Sequence, residues 1–170
     1  MQELKDTQSE ADTRNISIDR VGVKGLRFPI QIQDKLNRIQ STVATVSLAV
    51  DLPEEFKGTH MSRFVEALHQ HGPLLDVHTA LSIPRELLGR LSASRSHVEM
   101  EFPFFRAKAA PVTGREGLMD YVVRFEMEAE AGDRLADFKL TVVVPVTTLC
   151  PCSKAMSSYG AHNQRGIVTY

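Results

Sequence analysis

The sequence TTLCPCSKAMSSYGAHNQRG, residues 147–166, contains both cysteines of the chain and the histidine nearest to them. Cys150 and Cys152 flank a proline, and His162 follows ten residues after Cys152. If the intervening loop turns back, two thiolates and one imidazole converge, and such a set suits zinc or iron. An apolar strand at residues 139–146 precedes the site, so Cys150 would lie at a rigid strand end.

The cysteine spacing leaves three interpretations open. A C-x-C pair with one distant histidine supplies at most three ligands, and three ligands with an open position indicate a catalytic metal. The thiols could instead be inert and half-buried, or they could form a disulfide. A bridge between Cys150 and Cys152 would be strained, since residues i and i+2 of an extended chain lie near the distance limit for a disulfide.

Two motifs resemble signatures of type IB GTP cyclohydrolase I. They are LCPCSKAMSSYGAHNQRG at residues 149–166 and GTHMSRF at residues 58–64. The resemblance covers nearly the whole chain. It implies a tunnelling fold, GTP as the substrate, and a homo-oligomer, a tetramer, with metal-dependent active sites at subunit interfaces. The implied reaction opens GTP hydrolytically at C8, releases formate and gives 7,8-dihydroneopterin triphosphate, the first step of tetrahydrofolate and pterin biosynthesis.

Residue by residue, the resemblance implies that Cys150 and His162 are metal ligands and that Cys152 lies at the metal. These three are the expected catalytic residues, with a divalent metal that is zinc, or alternatively manganese or iron. The metal would activate water for attack on C8. In the family a downstream glutamate completes the metal site and another acidic residue holds the purine. The sequence stops at Tyr170 before either, so we expect a fragment of a longer protein.

Four basic residues are candidates for binding the triphosphate of GTP. Lys154 and Arg165 bracket the metal loop, and Arg63 belongs to the GTHMSRF motif. His60 lies where a helix is predicted to begin, and helix N-termini bind anions. Each has a plainer interpretation, because lysine and arginine side chains are usually solvated and His60 can simply start a helix.

The composition is that of an ordinary globular protein. Of 170 residues, 42% are hydrophobic and 24% are charged, and 20 basic residues balance 21 acidic ones. This balance provides no field that would attract nucleic acid or a membrane surface, and no apolar run reaches the roughly eighteen residues of a membrane span. Two cysteines without a signal peptide indicate a reducing, cytoplasmic location.

The apolar pattern predicts an α+β fold. Period-2 alternation predicts strands at residues 21–32, 41–52, 96–110 and 118–131. Spacing of three and four predicts a helix from an N-cap at Thr59 to Gly72. A second helix covers residues 76–80 and 84–91, split or kinked at Pro84. The order ββααββ, an antiparallel sheet with two helices on one face, is the unit expected of the tunnelling fold.

The chain is predicted to contain one complete module and the start of another. Residues 1–20 are polar and should form a mobile arm, and residues 21–132 form the first module. Residues 133–170 begin a second, incomplete module that carries the metal loop, with strands at 136–147 and 166–170. The apolar residues of its first strand would lack a sheet partner beyond this stub, and they are Phe138, Leu140, Val142 and Val144.

Two other functions are compatible with these residues. A nitrile reductase of queuosine synthesis also uses a reactive cysteine on a tunnelling scaffold and binds a purine-like ring, but its glutamate-, serine- and lysine-rich cofactor motif is not found in this sequence. A structural assembly module would instead hold zinc in a closed four-ligand site that includes Cys150, Cys152 and His162.

Overall fold

The computed structural model describes residues 13–14, 16–35, 38–132 and 137–170. Within these ranges the chain forms seven strands and three helices. They are β1 (Ile18–Gln33), β2 (Ile39–Leu52), α1 (Met61–Gln70), β3 (Leu74–Leu75), α2 (Val77–Leu91), β4 (Arg95–Ala109), β5 (Glu116–Glu130), β6 (Asp137–Leu149), α3 (Pro151–Met156) and β7 (Asn163–Thr169). The strands follow the order β3-β1-β2-β4-β5-β6-β7 in one sheet, which confirms the α+β class.

The chain divides into two compact units. The first consists of Met1–Phe102 with Arg124–Leu140, and the second of Pro103–Val123 with Thr141–Tyr170. The strands β4, β5 and β6 therefore each contribute residues to both units. This division differs from the predicted modules at residues 21–132 and 133–170, which stay a prediction.

The first unit has its core on one face of its strands. β1 and β2 are antiparallel, as predicted, and β2 is also antiparallel to β4. From Ala44 to Leu52 in β2 and from Ser96 to Phe102 in β4, every second residue is buried, which confirms the period-2 interpretation of these parts. The buried side chains from these two strands and from α1 and α2 are Ala44, Val46, Leu48, Val50, Leu52, Ser96, Val98, Met100, Phe102, Phe64, Ala67, Leu68, Ala80, Ile83, Pro84 and Leu87.

The helices differ from the prediction at two places. The N-cap of α1 is His60 and not Thr59, and no side chain caps this helix end. α2 runs without a break through Pro84, which is buried inside the helix. The carbonyl of Pro84 accepts a hydrogen bond from the Ser96 hydroxyl at 2.7 Å. α2 is continuous at Pro84, so the predicted split is wrong, whereas the alternative of a kink there stays a prediction.

Strand limits also differ from the prediction. β1 begins at Ile18, so residues 18–20 belong to the sheet and not to the predicted arm. Residues 1–12 and 15 of that arm lie outside the described residues. The two-residue strand β3, which is parallel to β1, was not predicted because two apolar residues carry no periodic signal. No helix in the described part of the chain is long and apolar enough to cross a membrane.

The second unit contains the antiparallel pair of β6 and β7. Their register runs from Val143 opposite Thr169 to Leu149 opposite Asn163. β7 therefore begins earlier than the predicted start at residue 166. In the sheet, β6 lies between β5 and β7. The expectation that Phe138, Leu140, Val142 and Val144 lack a strand partner beyond the stub is therefore wrong.

The N-terminus of α2 generates a prediction about stability and pH. The Asp76 carboxylate accepts a hydrogen bond from the Thr79 backbone N–H at 2.7 Å, and the Thr79 hydroxyl accepts one from the Asp76 N–H at 2.8 Å. The bond from the Thr79 backbone N–H is the main reason why the pKa of Asp76 lies below its ordinary value. The ionised Asp76 carboxylate therefore stabilises the folded protein above about pH 4, the ordinary pKa of aspartate. This stabilisation is lost as the pH falls through the pKa that Asp76 has in the folded state.

Replacing Asp76 by alanine should lower the free energy of unfolding at pH 7 by about 0.5–2 kcal/mol, because the cap is lost. Asp76→Asn is the matched control, since asparagine still accepts the bond but cannot titrate. The difference in the free energy of unfolding between the wild type and Asp76→Ala should shrink below pH 4. Denaturant unfolding across a pH series measures this difference. Equal stability of the wild type and Asp76→Ala at pH 7 would show that the cap is unimportant.

A pair of glycines generates a second stability prediction. Gly22 lies opposite Ala49 in the β1–β2 pair, and a Cβ at Gly22 would overlap the carbonyl oxygen of Leu48. Gly89 lies on the exposed side of α2 with nothing near the place of a Cβ. Gly22→Ala should lower the free energy of unfolding by about 1–3 kcal/mol and therefore lower the thermal midpoint by several degrees. Gly89→Ala should raise the free energy of unfolding by about 0.5–1 kcal/mol. Calorimetry of both variants that showed the opposite order would contradict the strand register.

Candidate metal centre

The end of the β6–β7 pair brings Cys150 and His162 together. Leu149 and Asn163 are the last residues paired in the ladder. The next residues continue the pairing, because the Cys150 backbone N–H donates to the His162 carbonyl oxygen at 3.4 Å. The loop therefore turns back to Cys150, as the prediction requires, while the convergence of both thiolates with the imidazole on a metal stays a prediction.

The loop between the two residues is a short helix followed by a turn. Pro151 occupies the first turn of α3, where its missing N–H costs nothing. Cys150 is the N-cap, and its sulfur accepts a hydrogen bond from the Ser153 backbone N–H at 3.5 Å. The Lys154 N–H donates to the Cys150 carbonyl at 3.0 Å. Gly160 has a φ of +138°, a conformation that favours glycine, and it lets the chain return to His162.

Cys150 and His162 line one open surface cavity of about 220 Å³, in which Cys150 is half-buried and His162 is exposed. Its other lining residues are Thr148, Leu149 and Gln164. Thr148 lies opposite Gln164 in the ladder, and successive side chains of a strand alternate between its faces. Thr148 and Gln164 therefore lie on the same face of the pair as Cys150 and His162. The cavity combines a thiol, an imidazole, an amide and a hydroxyl.

Cys152 occupies a different position from Cys150. Both cysteines are free thiols, but Cys150 is half-buried whereas Cys152 is exposed on α3 and does not line the cavity. The disulfide interpretation therefore does not hold in this structure. Across the described residues, no group of three histidine, cysteine, aspartate or glutamate side chains could hold a metal ion. By their chemistry the thiol of Cys150 and the imidazole of His162 could supply two ligands to a metal at the cavity that both residues line. The roles of Cys150, His162 and Cys152 at a metal stay predictions.

The two basic candidates of the metal loop lie in different surroundings. Lys154 is exposed on α3, and its backbone contact with Cys150 keeps it within one helical turn of that residue. Arg165 is also exposed, but it alternates with Gln164 along β7. Its side chain therefore lies on the opposite face of the pair from the cavity. The structure brings neither side chain into the cavity lining.

Arg63 and His60 lie in the first compact unit. The Arg63 guanidinium donates to the Arg90 carbonyl at 2.9 Å and so satisfies a carbonyl in the last turn of α2. His60 starts α1 as its N-cap residue, a position that both interpretations require, so its phosphate-binding role stays a prediction. Arg63 therefore has a structural contact that the sequence motif did not reveal.

A second group of ionisable side chains surrounds His97 in the first unit. Its Nδ1 lies 2.8 Å from the Glu128 carboxylate and its Nε2 lies 2.9 Å from Glu99. Nearby, the Lys139 ammonium hydrogen-bonds to Glu126 and lowers the pKa of that carboxyl. Both nitrogens of His97 are engaged by carboxylates, so this group is a network of ion pairs and hydrogen bonds.

Three residues of the site were missed by the sequence reasoning. Thr148 and Gln164 could have been found only if the β6–β7 register had been known, because their types carry no metal or nucleotide signature. Ser153 lies in α3, but Cys150 and not Ser153 caps this helix. The Ser153 hydroxyl instead accepts a hydrogen bond from the His162 backbone N–H at 3.3 Å.

The chain is similar to known proteins over nearly its whole length. A family model described as Type I GTP cyclohydrolase folE2 matches residues 4–170. Proteins named GTP cyclohydrolase FolE2 are similar to this chain. They include those of Akkermansia muciniphila (93% identical over 170 residues), Nitrosomonas eutropha (49% over 168) and Fervidobacterium nodosum (51% over 162).

The alignments cover most of this chain and a smaller part of each relative. They span 100%, 99% and 95% of this chain, but only 64%, 62% and 61% of the three relatives in turn. The chain thus spans less than two thirds of the length of these proteins. The family match nevertheless includes the GTHMSRF motif, both cysteines and His162, and the chain belongs to the type I GTP cyclohydrolase FolE2 family.

Proposed function

We propose that this chain takes part in the type IB GTP cyclohydrolase I reaction. GTP and one water are converted to formate and 7,8-dihydroneopterin triphosphate, the first step of tetrahydrofolate and pterin biosynthesis. The observation that carries the proposal is the cavity shared by Cys150 and His162 at the end of the β6–β7 pair, in a chain of the FolE2 family.

In this proposal Cys150 and His162 hold a divalent metal. A thiolate with an imidazole suits zinc or iron, and an added carboxylate would widen the choice to manganese. When bound, such a metal supplies a Lewis acid that lowers the pKa of water towards neutrality. The cavity offers two candidate protein ligands, so in this proposal the remaining ligands would come from outside the cavity. A catalytic site would keep one position open for water, whereas a structural zinc site would be closed by four protein ligands.

The other residues of the site bind and move protons in this proposal. Gln164 offers an amide on the cavity face that can hydrogen-bond to polar atoms of the purine. The Thr148 hydroxyl donates to the Gln164 carbonyl at 3.3 Å, so its oxygen is offered to the purine as an acceptor. His162, as a ligand, cannot also act as a free base. Cys152 is exposed two residues after Cys150 and is the nearest unligated thiol for a proton transfer.

Lys154 is the best supported of the four residues proposed to bind the triphosphate. It is exposed and its backbone is bonded to Cys150, so its flexible side chain starts close to the cavity. Arg165 lies on the other face of the β6–β7 pair. Arg63 and His60 belong to the first compact unit, and their assignment rests on the GTHMSRF resemblance alone.

We further propose a tunnelling fold and a homotetramer with active sites at subunit interfaces. The support is the exposure of large apolar side chains on strands of the second unit. Leu118 is 75% exposed, Ile167 72% and Leu149 56%. Subunit contacts would cover such residues, and β7 lies at the end of the strand order, where another strand could pair. The free thiols agree with a cytoplasmic enzyme.

Replacing Cys150 by alanine should abolish both metal binding and GTP turnover, because the cavity then keeps a single metal ligand. The test uses the longest natural polypeptide that contains these 170 residues, supplied in turn with zinc, manganese and iron(II). The measurements are metal content, formate release and the fluorescent pterin formed on oxidation. Formate and pterin should appear together and should both disappear when a chelator is added.

The matched control is Ser158→Ala, since Ser158 is exposed in the same loop and does not line the cavity. This variant should keep the metal content and rate of the wild type. Normal metal content and rate in Cys150→Ala would remove Cys150 from the site. One tightly bound metal per wild-type chain without formate or pterin would rule out the cyclohydrolase reaction and leave a structural metal site.

A further inference from the structure

Ser153 is bonded to both residues of the proposed metal pair. Its backbone N–H donates to the Cys150 sulfur at 3.5 Å. Its hydroxyl oxygen accepts a hydrogen bond from the backbone N–H of His162 at 3.3 Å. One residue of α3 therefore connects the cysteine at the end of β6 with the histidine that precedes β7.

The burial of Ser153 agrees with these contacts. It is half-buried, whereas the other residues of α3 are exposed. The helix does not need its hydroxyl as a cap, because the Cys150 side chain already accepts the capping bond. The hydroxyl is instead turned towards the returning chain at His162. A serine in the middle of a six-residue exposed helix is thus used for a contact outside that helix.

The two bonds differ in what they require of the side chain. Any residue other than proline supplies a backbone N–H to the Cys150 sulfur. Only a residue with a suitably placed acceptor can bind the N–H of His162, and serine or threonine offers a hydroxyl one bond beyond Cβ. The backbone bond between Cys150 N–H and the His162 carbonyl fixes one side of the histidine, and the Ser153 hydroxyl fixes the other.

We propose that Ser153 is a positioning residue, whose hydroxyl holds the backbone of His162 and thereby sets the separation between the His162 imidazole and the Cys150 sulfur. The inference rests on the proposed function, in which these two side chains bind the metal. Ser153 itself touches neither metal nor substrate in this role. Groups that orient metal ligands in this way typically change metal affinity by roughly 10- to 100-fold when they are removed.

The first test needs no metal. Hydrogen exchange of the His162 amide, followed by NMR in the metal-free protein, should be about 3- to 10-fold faster in Ser153→Ala than in the wild type, as expected for the loss of one hydrogen bond. Ser153→Thr should restore the slow exchange, because threonine keeps the acceptor. The matched control Ser158→Ala should exchange like the wild type. Unchanged exchange of the His162 amide in Ser153→Ala would overturn the proposal.

The second test measures the metal site with cobalt(II) as a spectroscopic probe. The wild type should show thiolate-to-cobalt absorption that is absent in Cys150→Ala. Ser153→Ala should bind cobalt roughly 10- to 100-fold more weakly, with an altered spectrum, and Ser153→Thr should recover the wild-type behaviour. Wild-type affinity and spectrum in Ser153→Ala would contradict the positioning role.

The two tests separate the proposals from each other. If the wild type binds no cobalt through a thiolate, the proposed metal site is wrong, and amide exchange still decides whether Ser153 holds His162. If the wild type binds cobalt and the exchange of the His162 amide does not depend on Ser153, the metal site stands and the positioning role fails. Far-UV circular dichroism and the thermal midpoint of Ser153→Ala should match those of the wild type, since the residue lies outside the buried core.

Discussion

Antiparallel pairing of β6 with β7 is the constraint on which the candidate metal centre depends. The register fixes which residues face each other, and its continuation beyond Leu149 and Asn163 places Cys150 opposite His162. Backbone hydrogen bonds therefore place both residues at the same cavity. If they hold the proposed metal, a pair placed in this way would lose little conformational entropy on binding.

The chain between the paired residues is held at several points. Pro151 and the Cys150 cap begin α3, Gly160 allows the return, and Ser153 joins the helix to His162. None of these contacts depends on a hydrophobic core, since no residue of α3 is buried. The geometry of this loop is therefore set by local polar contacts and by backbone conformation, in contrast with the first unit, where alternating apolar residues of β2 and β4 build the core.

Sequence reasoning predicted the parts of the structure that follow from periodicity. Alternation located the long strands, and the spacing of the cysteines and His162 predicted that the chain returns from Cys150 to His162. Sequence reasoning failed where tertiary packing overrides a local rule, as at Pro84, which is fully buried inside a continuous α2. It also could not find Ser153, Thr148 or Gln164, because their place at the site comes from register and from side-chain bonds to distant backbone, which residue types alone do not encode.

The origin of the remaining metal ligands follows from the same contacts. Cys152 is exposed on α3 and is not among the residues that line the cavity, whereas Cys150 and His162 both line it. The position of Cys150 is tied to α3 by the bond from the Lys154 N–H to the Cys150 carbonyl and by the bond from the Ser153 N–H to the Cys150 sulfur. If Cys150 and His162 hold the proposed metal, a third ligand that approaches from outside the loop would leave these bonds intact. In that proposal Cys152 would remain available for proton transfer.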